Sequence, residues 1–480
     1  LNLHGNIKKK ECSPDGSKDE NVFDIQQGVS IGIFINNPED SGPAKVQYAE
    51  LWGTREKKYG YLRDNSVGST AWTKINPQSI FYLFSPQDTA LQPEYEHGLK
   101  ITEIMQVNST GVKTHRDHFV LDFDQPALIS RIENFRNLNI SDDQIRERYN
   151  LSDTRDWNLS QKRRSLAEEL HSNNFIVMQF LYRPFDFRYY FPNENVVDRP
   201  RQEVMCHMAP KENLGLITTR QTRDKWDIIA TKLICGHKSC AAYDINNLFP
   251  LYIYPSNDER SSRQNTLDNS CWNPGKNGRI PNLNPDFVSA FASRLGLEFV
   301  SDGHGDLATT FGPEDIFNYI YAVFHSPTYR QRYAEFLKID FPRVPMTSSP
   351  ELFRKLCILG EELVALHLLE SPYLSQLITR YPVVGDNIVE KGFPKFVAYE
   401  DGAPGYVYIN KAQYFEGVPK EVWEFHVGGY QVCEKWLKDR RGRQLSFDDL
   451  MHYQKVVVAL KETIRLMGEI DRAIPGWPME

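Results

Sequence analysis

Apolar and polar positions alternate near the start of the chain and take a helical period towards its end. Val29, Ile31, Ile33 and Ile35 recur every second residue, which predicts a half-buried strand within 22–36. Gln26-Gln27-Gly28 supplies a turn back to Val22–Ile25. Lys45–Trp52 and Ile80–Phe84 are further strand candidates, and Leu1–Asn6 reads as a strand with its exit turn. A polar loop runs from Lys8 to Asn21, and the loop Pro86–Glu96 ends the unit. Residues 1–92 therefore read as β-rich.

The middle of the chain is mixed. His118–Phe123 is a strand candidate, Ser141-Asp142-Asp143 caps a helix, and Ser160, Arg163, Arg164, Leu166 and Leu170 mark another. Strands are expected at Phe175–Tyr182, Leu214–Thr219 and Leu248–Tyr254, followed by a polar loop, Ser256–Asn284, long enough to be functional or mobile. Residues 286–380 read as helical. Pro313 opens one helix, and Ser326-Pro327, Ser349-Pro350 and Ser371-Pro372 each pair a capping serine with a proline at the first helical position. Phe396–Tyr399 and Tyr406–Ile409 flank Asp401-Gly402, a hairpin signal. Ser446-x-x-Asp449 is close to a capping box, ahead of one apolar stripe from Leu450 to Ile470. No internal repeat is present. The fold class is α+β, or mixed α/β, and multi-lobed.

Composition narrows the class. A chain of 480 residues suggests about two to four domains. With 40% apolar and 25% charged residues it reads as globular. No apolar run reaches the ~18 residues of a membrane-spanning helix. The chain opens on Leu1 without a basic-then-apolar leader, which reads as a fragment or processed product and does not indicate secretion. Seven cysteines at irregular spacing suit a reducing compartment. Fifty-six basic against 63 acidic residues give −7, which argues mildly against nucleic acid, although local patches decide.

Catalytic motifs are missing. An adenine-amino methylase carries Asn/Asp/Ser-Pro-Pro-aromatic, whose polar groups accept from the amino group while the ring stacks on the flipped base. Asn37-Pro38, Asn76-Pro77, Asn273-Pro274 and Asn284-Pro285 do not continue in that way. No Gly-rich cofactor loop and no P-loop are present. Cys235, His237 and Cys240, with Cys206, His207 and Cys271, lack the usual ligand spacing of zinc, so ordinary thiols are the favoured reading. No nucleophile elbow is found. His304, within Ser301-Asp302-Gly303-His304-Gly305-Asp306, is the most suggestive histidine, but a Gly-rich turn capped by Asp is the plainer reading. No catalytic or metal-binding residue is assigned.

Basic clusters remain. Arg183, Arg188, Arg199 and Arg201 interleave with Tyr182, Phe185, Phe187, Tyr189 and Tyr190. Arg220, Gln221, Arg223 and Lys225 follow, next to Trp226. Residues 201–226 hold five basic and three acidic side chains, a net +2, and residues 434–443 hold five and two, a net +3. Arginine forks read guanine and grip phosphate, and glutamine reads adenine. The competing reading pairs these arginines with local acids, Arg183 with Asp186 for example.

The chain also resembles a known family. Asp19-Glu20-Asn21-Val22-Phe23-Asp24-Ile25-Gln26-Gln27-Gly28-Val29 looks like a late hairpin of the adenine-methylase core of Type ISP single-chain restriction–modification enzymes. Ala49-Glu50-Leu51-Trp52-Gly53-Thr54-Arg55, Asn108–Asp117, Tyr182-Arg183-Pro184-Phe185-Asp186, Asn318–Phe324 and Gly428-Gly429-Tyr430-Gln431-Val432 with Lys435-Trp436-Leu437-Lys438 match in family order. The resemblance implies a methyltransferase remnant over 1–92, a helical coupler over 93–180, a target recognition lobe over 181–310 and a helical and mixed specificity lobe over 311–480. It implies double-stranded DNA as a partner, with the methyltransferase and nuclease–translocase domains of the same enzyme, and a cytoplasmic setting away from membranes. No cofactor is expected in this chain, whereas S-adenosylmethionine and ATP are implied for the full enzyme. The DNA-contact candidates are Arg199, Arg201, Arg220, Gln221, Arg223 and Lys225, then Lys435, Lys438, Arg440 and Arg441. The Ser256–Asn284 loop is expected to wrap DNA. Alternatives are a divergent S-adenosylmethionine-dependent methyltransferase active by itself, or a protein scaffold using 313–380.

Overall fold

The computed structural model describes all residues except 8–10, 37–41, 43, 78–81, 83, 87–89, 170–174, 224, 256–273, 400–402 and 480. They form two compact units, Leu1–Gln92 and Pro93–Glu480.

The first unit closes on a small core of Leu3, Val22 and Leu51, with Leu1, Val29, Tyr61 and Leu62 packed against it. Its helix, Arg55–Asp64, starts where the Thr54 hydroxyl accepts from the Lys57 amide at 3.4 Å. Lys58 points inward from this helix. Its ammonium donates to the carbonyls of Leu3 (2.7 Å) and Glu20 (2.6 Å) and pairs with the buried Asp19 carboxylate at 2.7 Å. Asp19 also accepts from the amides of Gly5 and Gly53, at 2.6 and 2.9 Å. A buried charge is tolerated only when its donors and acceptors are satisfied in this way.

The expected strand at 22–36 is corrected. Only Ser30 bridges, to Asn2, and Ile33 and Ile35 are 58% and 85% exposed. Among the described residues the unit's two-stranded sheet is Val46–Tyr48 antiparallel to Thr73–Ile75. The Ile80–Phe84 candidate lies largely outside the described residues.

The second unit carries two four-stranded sheets. One orders its strands as Ile234–Cys235, Met178–Arg183, Asp186–Tyr190 and Leu121–Asp122; the other as Ser109–Thr110, Asn246–Pro250, Gly215–Thr219 and Ile228–Thr231. The two meet along residues 111–113. Val112 bridges Gly236, which follows the first sheet's outer strand, and Lys113 bridges Arg199. His118–Phe123 departs from its expected strand, dividing into a helical turn, Asp117–Val120, and the short strand Leu121–Asp122.

The helical part follows the serine signals. Ser326, Ser349 and Ser446 accept from the amides of Tyr329, Leu352 and Asp449 at the starts of helices Pro327–Arg332, Pro350–His367 and Phe447–Ala473. Pro313–His325 packs on Pro350–His367, which packs on Phe447–Ala473. A Cβ at Gly360 would lie 1.9 Å from the Asn318 carbonyl oxygen, so glycine sets how closely the first two helices approach. Phe317, Tyr321, Phe324, Leu363, Val456 and Leu460 are buried among them, each contributing about 1.5–3 kcal/mol of transfer free energy. A small antiparallel sheet (Lys395–Val397, Gly405–Tyr408, Tyr414–Val418) covers the C-terminal region; the expected Asp401-Gly402 turn lies outside the described residues. No helix among the described residues is long and apolar enough to cross a membrane.

Candidate nucleic-acid interface

The second sheet brings three segments to one end. Asn246 pairs with Thr219, Asn247 with both Thr218 and Thr110, and the Gly111 amide donates to the Asn246 carbonyl at 3.1 Å. Because Asn246–Pro250 runs antiparallel to both neighbours, Ser109–Thr110 and Gly215–Thr219 leave the sheet in the same direction. The turn 111–116, the residues entering at Asn246 and the hairpin connection 220–227 therefore share one edge. Strand spacing places the first exit about 10 Å from the third.

The hairpin connection carries Arg220, Gln221, Arg223 and Lys225, all exposed. Arg220 Nε lies 3.3 Å from Asp340 Oδ1, and Asp340 Oδ2 lies 2.7 Å from Lys100 Nζ. Burial pushes the Asp340 carboxyl up, but the Lys100 hydrogen bond and the nearby cations outweigh it and hold the group below its ordinary value. Arg223 Nε approaches Asp244 Oδ1 at 3.2 Å, and its amide donates to Asp244 Oδ2 at 2.8 Å. The Arg220 and Arg223 side chains are 67% and 66% exposed, although the carboxylates they meet are largely buried, so each guanidinium keeps an open face that can take a phosphate.

The turn 111–116 adds cations that the sequence did not single out as contacts. The Lys113 amide donates to Arg199 O at 3.1 Å, and the Arg199 amide to Lys113 O at 2.9 Å. His115 is held at φ +58° beside Asp198, 3.5 Å away. Arg116 braces the turn from inside, its guanidinium 3.8 Å from the Trp157 ring centroid. Arg201 adopts φ +57° and faces Glu203 at 3.8 Å. Arg199 and Arg201 thus stand on the side of Lys113, and Arg220–Lys225 on the far side of the sheet end.

Residues 103–469 match the family described as the Type ISP C-terminal specificity domain. The chain belongs to that family. Three solved structures of similar fold are a nuclease-deletion mutant of the Type ISP enzyme LlaGI with a DNA substrate mimic, the ATP-dependent Type ISP enzyme LlaBIII bound to DNA, and a DrdV–DNA complex. Their TM-scores are 0.65, 0.69 and 0.68, at 20%, 17% and 19% identity, covering 98%, 100% and 98% of this chain. The chain spans only 36%, 31% and 47% of those structures' lengths. No curated protein matches it significantly.

In this specificity domain the other arginine cluster is structural. Arg440 was a contact candidate, but it is 3% exposed, 3.4 Å over the Trp436 ring, with Nη2 at 3.0 Å from the buried Asp186. It is corrected to an interior brace. Arg188, not Arg183, is the second partner of Asp186, at 2.9 Å; Arg183 donates to the carbonyls of Tyr182 and Lys238. Arg188, Arg440 and Arg443 all sit over the Phe123 ring, at 4.4, 4.6 and 4.0 Å. Lys435 and Lys438 pair along their own helix with Asp439 and Glu434, and Arg441 donates to Phe393 O.

The specificity domain holds His304 as a lock on a turn. Its ring nitrogens lie 2.8 Å from Asp315 and 2.9 Å from Glu314, and Asp315, then Glu314, raise its pKa to about 10. Asp306 accepts from the amides of Ala308, Thr309 and Thr310 and is held far below its ordinary value by those bonds. Cys235 and Cys240 are fully buried thiols pushed up by desolvation. Among the described residues no three His, Cys, Asp or Glu side chains gather as metal ligands. Cys271 and most of the Ser256–Asn284 loop lie outside them.

Proposed function

We propose that this specificity domain binds double-stranded DNA through the shared end of its second sheet and so directs the adenine methylation and cleavage performed elsewhere in a restriction–modification enzyme. The observation that carries the reading is the convergence of Arg220, Gln221, Arg223 and Lys225 with Lys113, Arg199 and Arg201 on one edge of a rigid sheet. Cations there set the register on phosphates, while the groove between them is read by base-edge contacts. The similar solved structures are of DNA-bound Type ISP enzymes, which supports a nucleic-acid partner. In the full enzyme S-adenosylmethionine and ATP serve the catalytic domains, and residues 93–180, 181–310 and 311–480 act as coupler, recognition lobe and specificity lobe in a cytoplasmic setting.

Fluorescence anisotropy of the full chain with duplex DNA, titrated across salt, tests this. The expected result is binding whose logarithm falls linearly with the logarithm of salt. Absence of binding at low salt refutes the proposal.

A further inference from the structure

Between the two cationic exits lies an apolar tip. Tyr243 and Ile245 are 54% and 52% exposed, immediately before Asn246 enters the sheet. Exposed apolar side chains are common on surfaces and mean little singly. These two sit on a closed, braced loop. The Asn246 side chain ties its ends, donating to Gly236 O at 3.0 Å and accepting from the Cys240 amide at 3.0 Å. The Asn246 amide donates to His237 O at 3.0 Å. From outside, the Tyr430 hydroxyl reaches Lys238 O (2.9 Å) and Ala241 O (3.2 Å), and the Ala242 amide donates to Gly428 O at 3.2 Å. A Cβ at Gly428 would lie 1.6 Å from Cys240 O, so the loop is clamped against backbone. Asp244, between the two apolar residues, is turned to Arg223. The loop thus holds Tyr243 and Ile245 to solvent without burying either.

The position is informative. Register puts this tip one strand from each cationic exit, and the exits, about 10 Å apart, compare with a major groove about 12 Å wide. Long cationic side chains rooted at strand exits that far apart can reach the phosphates of the two groove walls, and what stands between them then faces base edges. In the major groove thymine alone presents a C5-methyl group, which apolar side chains contact.

We infer that Tyr243 and Ile245 are the sequence-reading residues of this interface, contacting thymine methyl groups in the major groove while Arg220 and Arg223 on one side and Lys113 and Arg199 on the other hold phosphate. The inference rests on the duplex-binding reading above.

The test is selection from a randomised duplex library by the full chain and by its Tyr243→Ala/Ile245→Ala variant, followed by anisotropy on the selected duplex with single thymines replaced by uracil. The wild-type chain is expected to select a thymine-containing motif and to lose about fourfold in affinity for each contacted methyl that is removed. The variant is expected to keep its melting temperature, its low-salt affinity for unrelated duplex and its salt slope, yet to be indifferent to the same uracil. A variant that selects the same motif with the same uracil penalty overturns the inference. So does a variant weakened equally on every duplex, or a wild-type chain that binds duplex without preference. If the wild-type chain binds no duplex at all, the duplex-binding reading itself falls, an outcome distinct from those three.

Discussion

Arg440 and Asp186, 254 residues apart in the chain, are buried together with Nη2 and Oδ1 3.0 Å apart. The pair joins the first sheet to the segment after helix Val432–Lys438, and Trp436 stacks beneath the guanidinium. Removing one partner strands the other in a poorly solvated site. Arg440→Ala is expected to destabilise the second unit by about 3 kcal/mol, read from urea unfolding. Duplex affinity per folded molecule should be unchanged, because the side chain does not reach the sheet end.

Arg220 and Arg223 are expected to behave in the opposite way. Both guanidiniums are about two-thirds exposed, and Asp340 keeps Lys100 as a second cation, so Arg220→Ala with Arg223→Ala should change stability by only about 1 kcal/mol. If each arginine releases one counterion, the salt slope of duplex binding falls by about two. Anisotropy at several salt concentrations measures both the slope and the uniform loss across sequences.

His304 sets an alkaline limit. Its pKa is raised to about 10 in the folded chain, against about 6.5 in an unfolded one. Its contribution to stability is therefore complete below about pH 6.5 and is lost as pH rises towards 10. Melting temperatures of wild type and His304→Gln should differ most near neutrality and below, and converge at high pH.

His367 sets an acid limit with the opposite sign. It is buried, its Nε2 2.9 Å from the Thr463 hydroxyl and its other nitrogen against Tyr321, and desolvation lowers its pKa to about 3. Burial depresses the neighbouring His325 as well. Stability from keeping these rings neutral is present above about pH 6.5 and is lost as pH falls towards 3. His367→Gln is expected to flatten the acid limb of a melting-temperature profile.

Lys58 is the equivalent pin of the first unit. Lys58→Ala would leave buried Asp19 without its cation and is expected to cost that unit about 3–5 kcal/mol. Limited proteolysis should then cut within 1–92 while the second unit stays resistant.

The helices were readable because serine caps and prolines act locally. Ser326, Ser349 and Ser446 each begin the helix that their position predicts. Helix Arg55–Asp64 escaped notice because it carries no broad apolar stripe; Thr54 followed by Glu56 was its available signal. The alternation Val29–Ile35 shows that one side of a segment is apolar, but not that anything covers it, and Ile35 stays 85% exposed. The hairpin cations were visible as a run, 220–225. Lys113 joins them only through strand register across 109–110, 246–250 and 215–219, which no local pattern encodes. Arg440 and Arg441 are adjacent in sequence, yet one is interior and the other exposed; a run of charge does not say which members face water.

The two strained, non-glycine residues at the sheet end carry one more implication. His115 and Arg201 hold left-handed backbones on either side of the Lys113–Arg199 bridge, a conformation that costs a residue with a Cβ about 1–2 kcal/mol. The Lys113–Arg199 bridge ties the two turns together, and Arg116 stacked on Trp157 braces the first from inside. The exposed side chains are therefore free to differ while their backbone path stays fixed, so new specificities can arise by exchanging residues at 115, 220, 221, 223, 225, 243 and 245 without redesigning what lies beneath them.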